Sequence, residues 1–175
     1  NGTRTVQTNS GESGWLFDSD SKIIKIQGKE EVEDFKRSLR TSLDYLLRGN
    51  WRSEGAKLTH TGKREAGLGK RNEVVKLLYS DGLTVEFEFS ATDGLPMKSM
   101  YIRKKYEGEE IKEEDRYAQF VEVNGVFTPF IIDKFRNGIQ ISRINYRTVE
   151  FNKNVSDAIF IKPNDAKDLK KDLKL

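Results

Sequence analysis

The stretch Arg116–Phe151, RYAQFVEVNGVFTPFIIDKFRNGIQISRINYRTVEF, decides the fold. Asn124-Gly125 and Asn137-Gly138 divide it into three runs rich in β-branched and aromatic residues. A two-residue type I′ turn needs positive φ at both central positions, and Asn and Gly tolerate that best. The stretch therefore predicts a three-stranded antiparallel meander. A two-residue turn at Asn137-Gly138 sets Ile131 opposite Ile144 and Pro129 opposite Tyr146. Pro129 lacks a ladder donor, so a bulge, a strand end or an unpaired edge position is expected there.

Upstream, Glu73–Ser80 and Leu83–Ser90 flank Asp81-Gly82, a further hairpin signal. In the second run Leu83, Val85, Phe87 and Phe89 alternate with Thr84, Glu86, Glu88 and Ser90, which predicts one apolar and one wet face. A two-residue turn pairs Leu78 with Val85 and Val74 with Phe89, and sets Lys76 opposite Phe87, where its stem would have to snorkel. Asp93–Pro96 reads as a turn, Met97–Tyr106 as a strand, and Glu107–Asp115 as a solvated acidic connection. Leu58–Thr61 is a strand candidate before a Gly-rich, basic loop, Gly62–Lys70. Three short strands are expected at Thr3–Gln7, Trp15–Phe17 and Lys22–Gln27. After the meander, Asn152–Pro163 leaves the sheet with Val155, Ile159 and Phe160 as anchors. A single domain is expected over 1–163, followed by a polar tail over 164–175.

Glu30–Arg48 predicts one helix. Val32, Phe35, Leu39, Leu43, Leu46 and Leu47 recur at spacings of three and four and form one apolar stripe. Glu30, Glu31, Glu33 and Asp34 suit the positive end of its dipole, and Gly49 suits a left-handed stop. Burying the stripe contributes on the order of 10 kcal/mol before entropy costs. The acidic start and mixed polar face favour packing on a sheet over lying on a membrane.

The 175 residues carry 31 basic and 28 acidic side chains, net +3, a mixed surface rather than a nucleic-acid footprint. No cysteine is present, which removes disulfides, thiolate metal sites and thiol catalysis. No apolar run reaches the ~18 residues of a spanning helix.

Signals for chemistry are sparse. His60 is the single histidine and has no Cys or second His to ligate a metal with. Gly67-Leu68-Gly69-Lys70 resembles a fragment of a phosphate loop but lacks the full pattern. Glu86 and Glu88 share a strand face and could serve as an acid–base pair, with a wet strand face as the alternative. Tyr101–Tyr106 (YIRKKY) interleaves basic and aromatic residues, but without a nucleic-acid motif around it. No cofactor, metal or catalytic residue is assigned.

A helix of this length spans roughly 28 Å, too little to cover a wide sheet of strands ~4.8 Å apart. Either the sheet curves around the helix or an apolar face stays open, and both leave room for an apolar ligand. The alternative is a filled core. The residues expected to line such a cavity are Trp15 near the N-terminus and Phe35, Leu39 and Leu43 on the helix. The sheet would add Val85, Phe87, Phe89 and Tyr101, and the meander Ile131, Ile144 and Tyr146.

Several stretches together resemble a bacterial family. They are Gly125–Phe130 (GVFTPF), Arg136-Asn137-Gly138, Val149–Asn152 (VEFN), and Asp157–Phe160 (DAIF) ending in Lys162-Pro163. Thr92–Pro96 (TDGLP), and Gly14-Trp15 followed by the Glu30–Arg48 helix, fit the same pattern. The chain from about Gly14 to Pro163 is similar to LolA/LolB-like proteins, the outer-membrane lipoprotein-sorting superfamily. The resemblance implies a mainly β (α+β) fold, a strongly curved antiparallel sheet or unclosed barrel of about seven to nine strands, with the long helix on its concave face. It implies non-catalytic binding of a lipid or lipoprotein acyl chain in the bacterial periplasm or envelope, reached by an export signal upstream of Asn1. The alternative is a protein-interaction or envelope-sensor domain that binds another envelope protein on the same fold.

Overall fold

The computed structural model describes residues 5–18, 20, 22–104 and 108–165. Tyr106 and residues 166–175 of the expected tail lie outside them. The chain forms two compact units, Asn1–Leu39 with Asn152–Leu175, and Arg40–Phe151.

In the first unit, β1 (Thr5–Asn9), β2 (Gly14–Asp18) and β3 (Ile23–Ile26) form an antiparallel sheet in that order. These are the three short strands expected from sequence. The buried Trp15 lies on β2, and its indole Nε1 donates to the Phe160 carbonyl at 3.0 Å. Phe160 anchors the C-terminal segment through its backbone, whereas its ring and Val155 are exposed. The Ile159 side chain lies outside the described residues.

The expected single helix is two. α1 spans Lys29–Arg40 and α2 spans Leu43–Arg48. Ser42 interrupts them with extended backbone, φ −77 and ψ 150, and its hydroxyl accepts from the Tyr45 N–H. A local cap satisfies an orphan amide that a continuous helix would have bonded within itself, so an unbroken apolar stripe does not ensure an unbroken helix. Gly49 ends α2 at φ 75, as its left-handed preference predicts.

The second unit holds one open seven-stranded antiparallel sheet: β4 (Lys57–Glu65), β5 (Arg71–Leu78), β6 (Thr84–Ser90), β7 (Pro96–Lys104), β8 (Glu110–Val123), β9 (Val126–Arg136) and β10 (Ile139–Asn145). Sheet order follows chain order, leaving β4 and β10 as edges, an unclosed meander as expected. Bulges at His60/Gly62, Glu88/Phe89 and Gln140/Ser142 bend the strands and increase their twist.

Both Asn-Gly turns form as read: Asn124 and Gly125 take φ 50 and 81, Asn137 and Gly138 φ 49 and 82. Two registers differ from expectation. Tyr79 and Leu83 close a three-residue loop at Ser80–Gly82, with the Tyr79 N–H donating to the Leu83 carbonyl at 2.9 Å. The slip pairs Leu77 with Val85, Val75 with Phe87, and Lys76 with Glu86, so Lys76 faces a carboxylate and not a phenyl ring. The bulge at Gln140/Ser142 pairs Ile144 with Ile132 and Ile131 with Asn145, which puts Ile131 and Ile144 on opposite faces. The acidic connection is shorter than expected: β8 already begins at Glu110, and Ile111 and Glu114 are buried. β4 likewise runs on to Glu65, into the stretch read as loop. Pro129 lies past the last β9–β10 pair, Ile131–Asn145, beside a gap in the β8–β9 ladder where Gln119 takes φ 52.

Candidate functional site

The apolar face of the seven-stranded sheet carries Val75 and Leu77 on β5, Val85, Phe87 and Phe89 on β6, and Tyr101 on β7, in register with one another. α2 and a 3-10 helix at Asn50–Glu54 pack on it. Leu46, Leu77, Tyr79, Val85 and Phe87 are buried together, with Leu43, Trp51, Ala56, Leu83, Phe89 and Tyr101 around them. Of the residues expected to line a cavity, Leu43, Val85, Phe87, Phe89 and Tyr101 meet here. Leu77, Val85 and Phe87 have no exposed surface, so this part of the face is filled core, and Leu43, Phe89 and Tyr101 form its margin. Trp15 is buried in the first unit, where Phe35 is half-buried and Leu39 exposed.

Arg40, the last residue of α1, fastens the start of the second unit. Its guanidinium lies 4.1 Å from the Tyr79 ring centroid, 2.8 Å from Glu54 Oε2 and 2.7 Å from Asp81 Oδ2, and its carbonyl accepts from the Tyr79 hydroxyl at 2.7 Å. The Tyr45 hydroxyl donates to the same Glu54.

The opposite face corrects the wet face expected around Glu86 and Glu88. Glu88 is only 4% exposed. It accepts from Asn72 Nδ2 at 2.8 Å and Arg64 Nη1 at 2.7 Å, and pairs with Lys98 Nζ at 2.9 Å. Arg64 also bonds Glu86 at 2.8 Å. Burial acts to raise the Glu88 pKa, but the bonds from Asn72, Lys98 and Arg64 outweigh it and hold the carboxyl below its usual range. Glu114 repeats the pattern two strands away, with burial opposed by Arg116, Lys98 and Lys112. These carboxylates are saturated by cations and held ionised, an arrangement that fastens strands and does not poise a proton for transfer. His60 is exposed and meets Glu73 at 2.8 Å. Among the described residues no three His, Cys, Asp or Glu side chains converge as a metal set, and no helix is long and apolar enough to cross a membrane.

The exposed apolar residues gather differently. The β4–β5, β6–β7 and β8–β9 connections all lie at one end of the seven-stranded sheet, as the antiparallel registers require. β7 pairs β8 only up to Arg116, and β10 pairs β9 only as far as Ile131. The β8–β9 hairpin therefore runs on as a two-stranded ribbon carrying exposed Val121, Val126 and Phe127. Tyr146, expected in a cavity, is exposed at the same end, where its N–H bonds the Phe130 carbonyl. Met97 is exposed at the start of β7, and Leu68 is fully exposed between Gly67 and Gly69 at the β4–β5 tip. Lys70 and Arg71 follow that tip, while Lys63 before it pairs with Glu73 and Arg64 with Glu86 and Glu88. Turn and strand patterning marked these segments in the sequence. Their convergence at one sheet end follows from registers that the sequence alone left open.

No family model matches the chain, and no curated protein does. Among solved structures the chain is similar to a LolA superfamily protein from Nitrosomonas europaea. The two are 14% identical over 90% of this chain and 70% of that one, with a TM-score of 0.47.

Proposed function

We propose that this protein binds an apolar ligand, the acyl chain of a lipid or lipoprotein, without catalysing a reaction, and does so in the bacterial envelope. The observation that carries the reading is that Leu68, Met97, Val121, Val126, Phe127 and Tyr146 are each exposed at one end of the sheet. Exposed apolar side chains at one end of the sheet favour an apolar partner, and Lys70 and Arg71 beside Leu68 favour one that also carries an anionic headgroup. The margin residues Leu43, Phe89 and Tyr101 offer a second apolar stretch next to the filled core. The envelope setting and the acyl chemistry rest on the LolA/LolB-like pattern of the sequence.

Native mass spectrometry of the purified protein, paired with organic extraction, tests the proposal. A co-purifying mass that extracts as fatty acid or phospholipid supports it. So does loss of that mass in a Leu68→Glu, Phe127→Glu double variant that still melts like the wild type. A clean apo mass, with no uptake of added fatty acid or lipopeptide, overturns it. One observation favours a second reading, an interaction domain: among the described residues the β8–β9 ribbon leaves β7 beyond Arg116 and β10 beyond the Tyr146–Phe130 bond, and unpaired edges add strands from partners. Concentration-dependent association in the ultracentrifuge without lipid uptake would favour that reading.

A further inference from the structure

The two Asn-Gly turns of the meander differ in what holds them. The Asn137 N–H donates to the Lys112 carbonyl at 2.9 Å, and its side-chain Oδ1 accepts from the Lys112 N–H at 2.9 Å. β8 thus holds both the backbone and the carboxamide of that residue. Among the described residues Asn124 has no such neighbour. The β8–β9 ribbon leaves β7 beyond Arg116 and β10 beyond the Tyr146–Phe130 bond, and Asn124-Gly125 closes its far end. Val123–Val126 is the last pair before the turn, and Asn124 and Gly125 are both exposed. The Asn124 carboxamide meets no partner among the described residues.

We propose that Asn124 is a site of spontaneous covalent modification, deamidation through a succinimide, and that Asn137 is protected from it by its bonds to Lys112. The Gly125 backbone nitrogen attacks Asn124 Cγ. A bond forms between them, the Cγ–Nδ2 bond breaks, and ammonia leaves with the proton that the Gly125 nitrogen gives up. Water then opens the ring. Hydrolysis at Cγ leaves aspartate, and hydrolysis at the backbone carbonyl leaves isoaspartate. Glycine favours ring closure because no Cβ crowds its nitrogen. The closed turn holds this peptide for hairpin pairing and not for ring closure, so the rate follows local opening, which is easiest at unsupported ends. Opening at Asn137 breaks two additional hydrogen bonds, which lowers the open population there by on the order of tenfold. The product alters the ribbon. Glu122 is the one charged residue between Tyr117 and Ile131. A carboxylate at position 124 doubles that charge beside exposed Val126 and Phe127, and isoaspartate inserts a methylene into a turn that sets the strand register.

Peptide mapping of the full chain, aged in mildly alkaline buffer and digested with trypsin, tests this. Cleavage after Arg116 and Lys134 places Asn124 in one peptide, and cleavage after Arg136 and Arg143 places Asn137 in another. An unaged sample digested alongside corrects for reaction during digestion. Asn124 should exchange its amide for a hydroxyl faster than Asn137, by on the order of tenfold. Its product should separate into aspartyl and isoaspartyl peptides of equal mass. In urea the two sites should react at similar rates, because the protection of Asn137 belongs to the fold. Equal rates in the folded chain, or a faster Asn137, would overturn the proposal. So would an unreactive Asn124 in the folded chain where the urea-unfolded chain reacts. A ratio that urea leaves unchanged would overturn it in favour of an effect of neighbouring sequence alone.

Discussion

Replacing Glu88 should show how much of this fold depends on a buried charge cluster. The carboxylate is 4% exposed and receives Asn72, Arg64 and Lys98 at once. Removing one partner of a buried ion pair costs ~3–5 kcal/mol, because the other charge stays behind uncompensated. Two features reduce that here: the Arg64 side chain is 43% exposed and keeps Glu86, so it regains water and one partner. Against this, the buried Asn72 amide loses its acceptor, worth ~1 kcal/mol or more. Glu88→Ala should therefore destabilise the protein by about 2–3 kcal/mol near neutral pH, which lowers Tm by several degrees at this chain length. Urea unfolding followed by circular dichroism measures it. The pH dependence has a definite sign. The folded pKa of Glu88 is depressed below its ordinary 4.5, so its contribution is fully present above that value and is lost as pH falls through the lower folded value. Glu88→Gln should thus lose stability near neutral pH and show a shallower acid limb than the wild type. A cost below ~0.5 kcal/mol for Glu88→Ala, the range of an ordinary surface change, would refute the reasoning. So would equal acid slopes for the wild type and Glu88→Gln.

Other substitutions separate core from surface. Phe87→Ala should cost ~3–5 kcal/mol in a urea titration, since its ring is wholly enclosed. Leu39→Asp, at a 45% exposed position, should stay within ~0.5 kcal/mol in the same assay. Ser42→Ala removes the cap between α1 and α2 and should cost ~0.5–2 kcal/mol, with faster amide exchange at Tyr45 as the local readout. Tyr79→Phe removes the hydroxyl that bonds the Arg40 carbonyl and should cost ~1 kcal/mol by thermal melt, while leaving the guanidinium–ring contact in place.

Local chemistry was legible wherever the answer depended on a residue's own backbone preference or on a simple alternation. Asn124-Gly125 and Asn137-Gly138 announce their turns because few other residue pairs accept positive φ twice running. Gly49 marks the end of α2 for the same reason. The alternation of Val85, Phe87 and Phe89 located the core face of β6 before any partner strand was known. Tertiary structure decided what depends on register and on neighbours distant in sequence. A third residue in the Ser80–Gly82 loop and one bulge at Gln140/Ser142 each cost almost nothing locally, yet each slip reassigns every cross-strand partner beyond it. Thus Lys76 found Glu86, and Ile131 and Ile144 parted to opposite faces. Glu88 read as a solvated residue because alternation records polarity, not exposure. Only the pairing of β4 through β7 brings Arg64, Asn72 and Lys98 to it. The placement of Leu68, Phe127 and Tyr146 at one sheet end has the same origin: strand pairing sets distances between segments that no single segment encodes.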